Sequence, residues 1–189
     1  MVSVTPAETE AQFRQIRELL VEHVEWDTAS AAQLGLNPRE VLDFYYASGE
    51  EELPGVYARP RGCLLLATCS ATAAGCGAFR EMSNDTCEMK RMYVRPAFRR
   101  MGIGRRLAEI LIQSAQQAGY GLMRLETTTL IENAIAMYSR LGFRRCQPYY
   151  VIPERFRMMT VFMELDLRRA KSGGGSTERG LSYHENFGV

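Results

Sequence analysis

One short segment constrains the fold of this chain more than any other: an arginine- and glycine-rich run between an apolar strand and an amphipathic helix. Residues 99–104 are Arg-Arg-Met-Gly-Ile-Gly, and the helix predicted after them presents Leu107, Leu111 and Ala115 on one face. Backbone N–H groups at the start of a helix lack partners within the helix and carry partial positive charge. Glycines allow a ligand to approach that backbone closely. The segment therefore predicts a site for a polyphosphate ligand.

The spacing of the glycines excludes two common phosphate-binding motifs. A P-loop requires Gly-Lys-Ser or Gly-Lys-Thr, and neither follows these glycines. A dinucleotide fingerprint requires a third glycine, and Leu107 occupies that position. We expect no nucleic-acid partner, because the formal net charge is only +1 and no aromatic-rich strand motif accompanies the arginines. On these residues alone, a plain glycine turn without a ligand stays an alternative.

Apolar periodicity predicts a mixed α/β domain. Short apolar or alternating runs predict strands at 63–68, 73–79 and 88–94, which would form an antiparallel meander. The helix at 104–118 and a strand at 122–127 follow. A strand, a helix and a strand in this order form a βαβ unit with a parallel pair. Closing strands are predicted at 143–146 and 162–167.

Capping residues and glycines predict where the other helices begin and end. Thr5, Asn37 and Thr129 each begin a pattern typical of a helix N-terminus. The first helix is predicted to run to about Trp26, and the second to stop at Gly49. Residues 170–189 have a Gly/Ser-rich linker composition at their start, so we predict a separate tail, either native or a linker added to the protein.

Charge is distributed unevenly along the chain. Residues 1–52 contain 11 acidic and 3 basic residues, whereas residues 88–169 contain 15 basic and 7 acidic residues. This asymmetry predicts two ligands of opposite charge. The basic half includes the proposed phosphate site. Asp27 and residues 50–52 supply negative charge in the acidic half, although residues 50–52 also fit a plain solvated loop.

Several classes of protein and site are not expected. No apolar run approaches the roughly 20 residues of a membrane span. The N-terminus shows no secretory signal, so a cytoplasmic location without a membrane partner is predicted. The five cysteines form no C-x-x-C pair and have no nearby pair of histidines, so we expect buried thiols and no metal site.

With its context, the run at 99–104 resembles a known family. It matches the R/Q-x-x-G-x-G/A acetyl-CoA signature of the GNAT superfamily of N-acetyltransferases, and Tyr-Val-Arg-Pro at 93–96 directly precedes it. Residues 133–143, Asn-Ala-Ile-Ala-Met-Tyr-Ser-Arg-Leu-Gly-Phe, are similar in outline to the second motif of that family. The two motifs occur in the expected order. The resemblance covers residues 2–167 and is weakest over 27–62.

The resemblance implies a fold and a cofactor site. The fold would be a single α/β (α+β) domain over residues 1–169, with a mixed sheet of about six or seven strands, an antiparallel N-terminal meander, a splayed parallel pair and about four flanking helices. The co-substrate would be acetyl-CoA, with no metal. The signature turn would bind its pyrophosphate, and the splayed strand and the last helix would bind its pantetheine. The residues so implied are Met92, Tyr93, Val94, Arg99, Arg100, Met101, Gly102, Ile103, Gly104 and Asn133.

The resemblance also implies two catalytic residues. Tyr138 matches the position of the general acid that protonates the leaving thiolate; without the family it would be read as a core tyrosine. Glu88 is the implied general base, often acting through water. Its alternative is a salt-bridged strand residue, paired with Lys90 or Arg91. Alternation predicts that Glu88, Lys90 and Met92 share one face of their strand.

The implied reaction transfers an acetyl group to a primary amine by direct attack in a ternary complex. The expected acceptor is a small molecule such as an amino acid or a polyamine; a protein or peptide amine is an alternative, and so is a non-catalytic acyl-CoA sensor. A homodimer is left open. His23 is expected to be a surface or boundary residue rather than a catalyst. The acceptor cleft is predicted to have aromatic walls formed by Trp26, Tyr45, Tyr46, Tyr57, Tyr149 and Tyr150.

Overall fold

The chain forms a seven-stranded mixed sheet with helices on both faces. The computed structural model describes residues 1–46 and 52–168, so the predicted helix stop at Gly49 and the predicted tail at 170–189 lie outside the described residues. Strand order across the sheet is β1-β2-β3-β4-β5-β7-β6. The strands are β1 (Val2–Pro6), β2 (Cys63–Cys69), β3 (Thr72–Ser83), β4 (Thr86–Val94), β5 (Leu122–Thr128), β6 (Arg144–Arg145) and β7 (Thr160–Asp166).

The predicted fold class is confirmed by the pairing of these strands. In the described part of the chain, β4 and β5 form the parallel pair and the other neighbours are antiparallel. Helix α3 joins β4 to β5, as a βαβ crossover requires. The helices are α1 (Glu10–Gln33), α2 (Pro38–Tyr45), α3 (Ile103–Gln117), α4 (Glu132–Arg140) and the single turn α5 (Glu154–Arg157).

The core is divided between the two faces of the sheet. On one face, Leu107 and Leu111 of α3 pack with Leu65 of β2. On the other face, Ile16 and Leu19 of α1 pack with residues from the alternate positions of β2 and β3. A third cluster joins α2, α5 and β7 through aliphatic and aromatic side chains. The sheet is therefore covered on both sides, which explains why β2 is a continuous apolar run rather than an alternating one.

The first helix begins later and ends later than the sequence predicts. Thr5 and Pro6 belong to β1, which is an edge strand and so tolerates a proline at its end. The capping box is formed four residues further on, by Thr9 and Gln12. The helix continues past Trp26 to Gln33, although that stretch contains few apolar residues, and its buried Ala31 packs in the third cluster.

The predicted start of α4 is also shifted. Thr129 and Glu132 do not form a capping box, since the N-cap residue is Ile131 and makes no side-chain cap. The hydroxyl of Thr128 instead accepts a hydrogen bond from the N–H of Leu130. The predicted stops are confirmed: Gly119 and Gly142 follow α3 and α4 with positive φ values of 89° and 96°.

A bulge in β4 decides which of its side chains face each side of the sheet. Arg91 and Met92 together stand opposite Gly77 of β3, and Arg91 has a φ of 59°. Because of this extra residue, Met89 and Met92 both pack on the α3 face. The expectation that Met92 shares a face with Glu88 and Lys90 is therefore wrong. Tyr93, not Met92, takes the α1 face beyond the bulge.

The close approach of β3 to β4 predicts a contrast between two glycine substitutions. A Cβ at Gly75 would lie 2.5 Å from the carbonyl oxygen of Tyr93, whereas a Cβ at Gly77 would first meet the flexible Met92 side chain. We expect Gly75→Ala to lower the free energy of unfolding by about 2–3 kcal/mol and Gly77→Ala by less than about 1 kcal/mol. Urea denaturation measures both values. Equal losses would contradict the predicted backbone contact.

Candidate active site

The candidate active site is an opening between β4 and β5. The parallel pairing of these strands ends at Met89 and Leu125. Beyond that point β4 remains paired with β3, and β5 with β7, so the two strands diverge. The backbone of β4 from Lys90 to Val94 consequently has one edge that does not pair with β5. An extended ligand could add to this edge as a further strand.

The turn after β4 has a backbone that suits an anion. Arg100 and Gly102 have positive φ values of 67° and 78°, and α3 begins at Ile103. Gly102 provides no side-chain cap, and the first hydrogen bond of α3 joins the N–H of Arg106 to the carbonyl of Gly102. The N–H groups that precede Arg106 are thus directed out of the helix end, as in anion-binding nests.

Gly104 leaves room for a ligand at this helix end. A Cβ at Gly104 would meet only Met137 and Val94, each at 3.8 Å, which is ordinary contact. Protein packing therefore does not require a glycine there. The absence of a bulky side chain keeps the first turn of α3 accessible, and this is what close approach of a phosphate to the backbone needs.

Several of the predicted cofactor-binding residues have side chains that are buried or engaged within the protein. The side chain of Ile103 is buried in the core, and that of Met92 packs towards α3. Arg99 donates from Nε to the carbonyl of Val94 at 3.1 Å, and its guanidinium lies over the ring of Trp26. Asn133 is exposed in the first turn of α4.

Tyr138 lies where α4 meets the opening. It is 5% exposed, packs edge-to-face on Phe143 and lines a cavity of about 190 Å³. We call this the first cavity; it extends from Ile131, Ala134 and Tyr138 to His23 and Asp27 on α1. Burial raises the pKa of Tyr138 above its usual value of 10. The hydroxyl therefore stays protonated at neutral pH and can donate a hydrogen bond.

Glu88 is buried on the α1 face of β4, where it is only 2% exposed. Its Oε2 accepts a hydrogen bond from Nε of Arg80 at 3.0 Å, and its Oε1 accepts one from the hydroxyl of Tyr149 at 3.0 Å. Lys90 lies 4.0 Å away. The salt-bridged arrangement is thus present, but with Arg80 as the main partner. Glu88 lines a second cavity of about 400 Å³.

Glu126 on β5 is a carboxylate that the sequence reasoning missed. Its Oε1 lies 2.5 Å from Nζ of Lys90, and its other oxygen accepts a hydrogen bond from Tyr150. Glu126 lines both cavities, together with Tyr45, Lys90 and Arg91. Its position at the carboxyl end of a parallel strand was the available signal, since ligands bind at such ends in open α/β sheets.

His23 lies on the wall of the first cavity. Its ring stacks on Tyr93 with the centroids 5.2 Å apart, and its Nε2 lies 3.6 Å from the carboxylate of Asp27. Burial lowers the pKa of His23, and this outweighs the opposing charge of Asp27. The hydroxyl of Tyr46 also donates to Asp27. His23 is therefore a neutral cavity residue rather than a surface one.

The aromatic walls are largely where the sequence places them. Of the six predicted residues, five line one or both cavities: Tyr45, Tyr46, Tyr57, Tyr149 and Tyr150. Trp26 does not line either cavity; it packs against Arg99 instead. Residues 50 and 51 lie outside the described residues, while Glu52 is exposed. In the described part of the chain, Asp27 is the acidic residue of the predicted set that reaches a cavity.

Two further observations concern metals and membranes. Within residues 1–46 and 52–168, no group of three or more His, Cys, Asp or Glu side chains is placed to hold a metal ion. Over the same residues, no helix has the length and apolar character needed to cross a bilayer.

Comparison with known proteins agrees with this geometry. The model of the acetyltransferase (GNAT) family matches residues 21–143. An uncharacterized N-acetyltransferase of Schizosaccharomyces pombe is 34% identical over 117 residues, which are 59% of this chain and 72% of that protein. An uncharacterized N-acetyltransferase of Escherichia coli is 32% identical over 96 residues, 49% of this chain; the match spans 58% of that protein, less than two thirds of its length.

A solved structure shows the same fold. A Salmonella typhimurium acetyltransferase, determined with acetyl-CoA, superposes with a TM-score of 0.55 at 18% identity, covering 88% of this chain and 94% of the other. The chain thus belongs to the GNAT family of acetyltransferases. It is an acetyl-CoA-dependent N-acetyltransferase of that type.

Proposed function

We propose that this enzyme acetylates a primary amine of a small molecule, and that the amine attacks acetyl-CoA directly in a ternary complex. The observation that carries the proposal is the pair of adjoining cavities. The first reaches Tyr138 and the opening between β4 and β5, and the second, of about 400 Å³, is walled by α2 and by Tyr149 and Tyr150. That volume is typical of a site for a small ligand.

Acetyl-CoA would bind along the opening. Its pyrophosphate would accept hydrogen bonds from the backbone of the turn at 99–104, and its pantetheine would pair with the edge of β4 at Met92 to Val94. Asn133 and the first turn of α4 would contact the pantetheine from the other side. This places the acetyl carbonyl near the N–H of Val94 or a neighbouring residue, which would stabilise the developing oxyanion.

The amine must lose a proton before it attacks, since an alkylamine is mostly protonated at neutral pH. Glu126 and Glu88 are the candidate acceptors, and Lys90 lies between them, 2.5 Å from Glu126 and 4.0 Å from Glu88. We assign the first transfer to Glu126, because it lines both cavities. Glu88 would act one step further away, through water, from the floor of the second cavity.

The leaving group also needs a proton. As the carbon–sulfur bond breaks, the sulfur of CoA gains negative charge, and the hydroxyl of Tyr138 would donate to it. The raised pKa of Tyr138 keeps its O–H intact until that charge develops. Counted from the ammonium form, two N–H bonds are lost: one proton goes to Glu126, and the second replaces the proton that Tyr138 gives to the sulfur. One carbon–sulfur bond breaks, one amide bond forms, and CoA leaves as a thiol.

A panel of amines tests the proposed activity, and Tyr138→Phe tests the acid. Thiol release from acetyl-CoA should occur with at least one amino acid, polyamine or related amine. In Tyr138→Phe we expect kcat to fall about 10–100-fold and KM for acetyl-CoA to change less than about threefold. Tyr120→Phe is the matched control, because Tyr120 is buried but donates to the carbonyl of Arg61 at 2.8 Å, outside both cavities.

Unchanged turnover in Tyr138→Phe would remove Tyr138 as the acid. Turnover only with peptides would favour the alternative of a protein or peptide acetyltransferase. Binding of acetyl-CoA without turnover of any amine or peptide would favour a non-catalytic sensor.

Variants of Glu126 and Glu88 distinguish the roles of the two carboxylates. We expect Glu126→Gln to lower kcat at least 30-fold across the pH range and Glu88→Gln to lower it less, because Glu88 would act through water. Glu164→Gln is the control: Glu164 lies on β7 and pairs with Arg124 at 3.5 Å. Steady-state rates at several pH values measure the difference. A larger loss in Glu88→Gln than in Glu126→Gln would reverse the assignment.

A further inference from the structure

The charge of the second cavity indicates which charged groups the acceptor carries; this inference rests on the proposed function. Among its described lining residues are three cationic side chains, Arg80, Lys90 and Arg91, and two carboxylates, Glu88 and Glu126. Within residues 1–46 and Glu52, the described part of the acidic N-terminal half, no acidic side chain lines this cavity. Basic side chains beside a site for an amine suggest that the amine carries an anionic group elsewhere.

Both carboxylates are already engaged by the protein. Glu88 accepts from Arg80 and from Tyr149, and Glu126 accepts from Lys90 and from Tyr150. A second ammonium group, as in a polyamine, would have to compete with these ion pairs for the same oxygens. The described residues of the second cavity would therefore bind a second ammonium group of the acceptor poorly.

Arg91 is the basic residue best placed to bind an anion. It occupies the bulge of β4 with a φ of 59°, a left-handed conformation that is uncommon for a non-glycine residue and that clusters at functional sites. The bulge brings its side chain to the lining shared by the two cavities. Its Nε donates to the hydroxyl of Tyr57 at 3.2 Å. A guanidinium has five N–H donors in a planar fork, so it can keep existing partners and still bind a carboxylate.

The remaining walls suit an apolar or aromatic body. Phe44, Tyr45, Tyr149 and Tyr150 line the second cavity, and the rings of Tyr149 and Tyr150 pack edge-to-face with centroids 5.5 Å apart. Phe162 lies behind both, at 5.0 and 5.1 Å. These rings form a wall held by its own packing.

We propose that the acceptor is an amine that also carries a carboxylate, that is, an amino acid, and that Arg91 binds that carboxylate. The amino group would then lie at the shared lining beside Glu126, facing the thioester. The side chain of the amino acid would lie against the tyrosines of the second cavity. The product would be an N-acetylated amino acid that keeps its carboxylate.

Three matched acceptors test this proposal: L-phenylalanine, its neutral amide and 2-phenylethylamine, which lacks the carboxyl group. We expect kcat/KM for phenylalanine to be at least tenfold higher than kcat/KM for either of the other two amines. The Arg91→Gln variant should lose at least tenfold with phenylalanine and less than about threefold with 2-phenylethylamine. Arg39→Gln, an exposed residue of α2 paired with Asp43, should change neither. Equal kcat/KM for the three amines, or equal losses in Arg91→Gln, would overturn the proposal.

A binding measurement keeps the test independent of turnover. Calorimetry on the enzyme saturated with CoA would compare N-acetyl-L-phenylalanine with N-(2-phenylethyl)acetamide. We expect the carboxylated product to bind at least tenfold more tightly, and Arg91→Gln to abolish that difference. If no amine is acetylated, the proposed function fails, and this comparison alone decides whether the carboxylate site exists. Equal affinity for both products would overturn it.

Discussion

The divergence of β4 from β5 is the constraint on which the site depends. The two strands pair in parallel as far as Met89 and Leu125 and then separate, each held by its other neighbour. The bulge at Arg91 adds one residue to β4, and bulges bend and twist the strand that contains them. The same bulge assigns Met92 to the α3 face and brings Arg91 to the cavities. This local irregularity thus lies in the part of β4 that has the exposed edge, and it presents the basic side chain that we assign to the acceptor.

Two kinds of binding group lie near the point where β4 and β5 diverge. The turn after β4 offers backbone N–H groups and a helix end, which suit phosphates regardless of side-chain identity. The α1 face of the sheet offers side chains instead: tyrosines, two engaged carboxylates and three basic groups. We place acetyl-CoA at the first arrangement and the acceptor at the second, because function depends on the site that a fold carries and not on the fold alone. This separation explains why the co-substrate follows from the fold whereas the acceptor requires an argument from individual contacts.

Much of the fold could be predicted from the sequence, because strand patterns and glycine stops are local signals. The parallel pair and the ends of α3 and α4 follow from them. The predicted start of α1 was wrong because Thr5 and Pro6 have the sequence pattern of a helix cap. In the folded chain they pair with β2 and form a strand instead. The bulge in β4 has no local sequence signal, so the face of the sheet that was predicted for Met92 was wrong as well. Glu126 was missed because its role depends on Lys90, 36 residues away, which only the folded sheet brings near it.

The most direct test of this account is the affinity of two Gly104 variants for acetyl-CoA. Gly104→Glu places an acid in the first turn of α3, which should leave the free energy of unfolding unchanged or raise it by up to about 1 kcal/mol. The same charge should repel the pyrophosphate, so we predict at least a 100-fold loss of affinity by calorimetry. Gly104→Ala, which adds only a Cβ with contacts at 3.8 Å, should bind within about threefold of the unmodified protein. Undiminished binding by a folded Gly104→Glu would contradict the placement of acetyl-CoA at this turn.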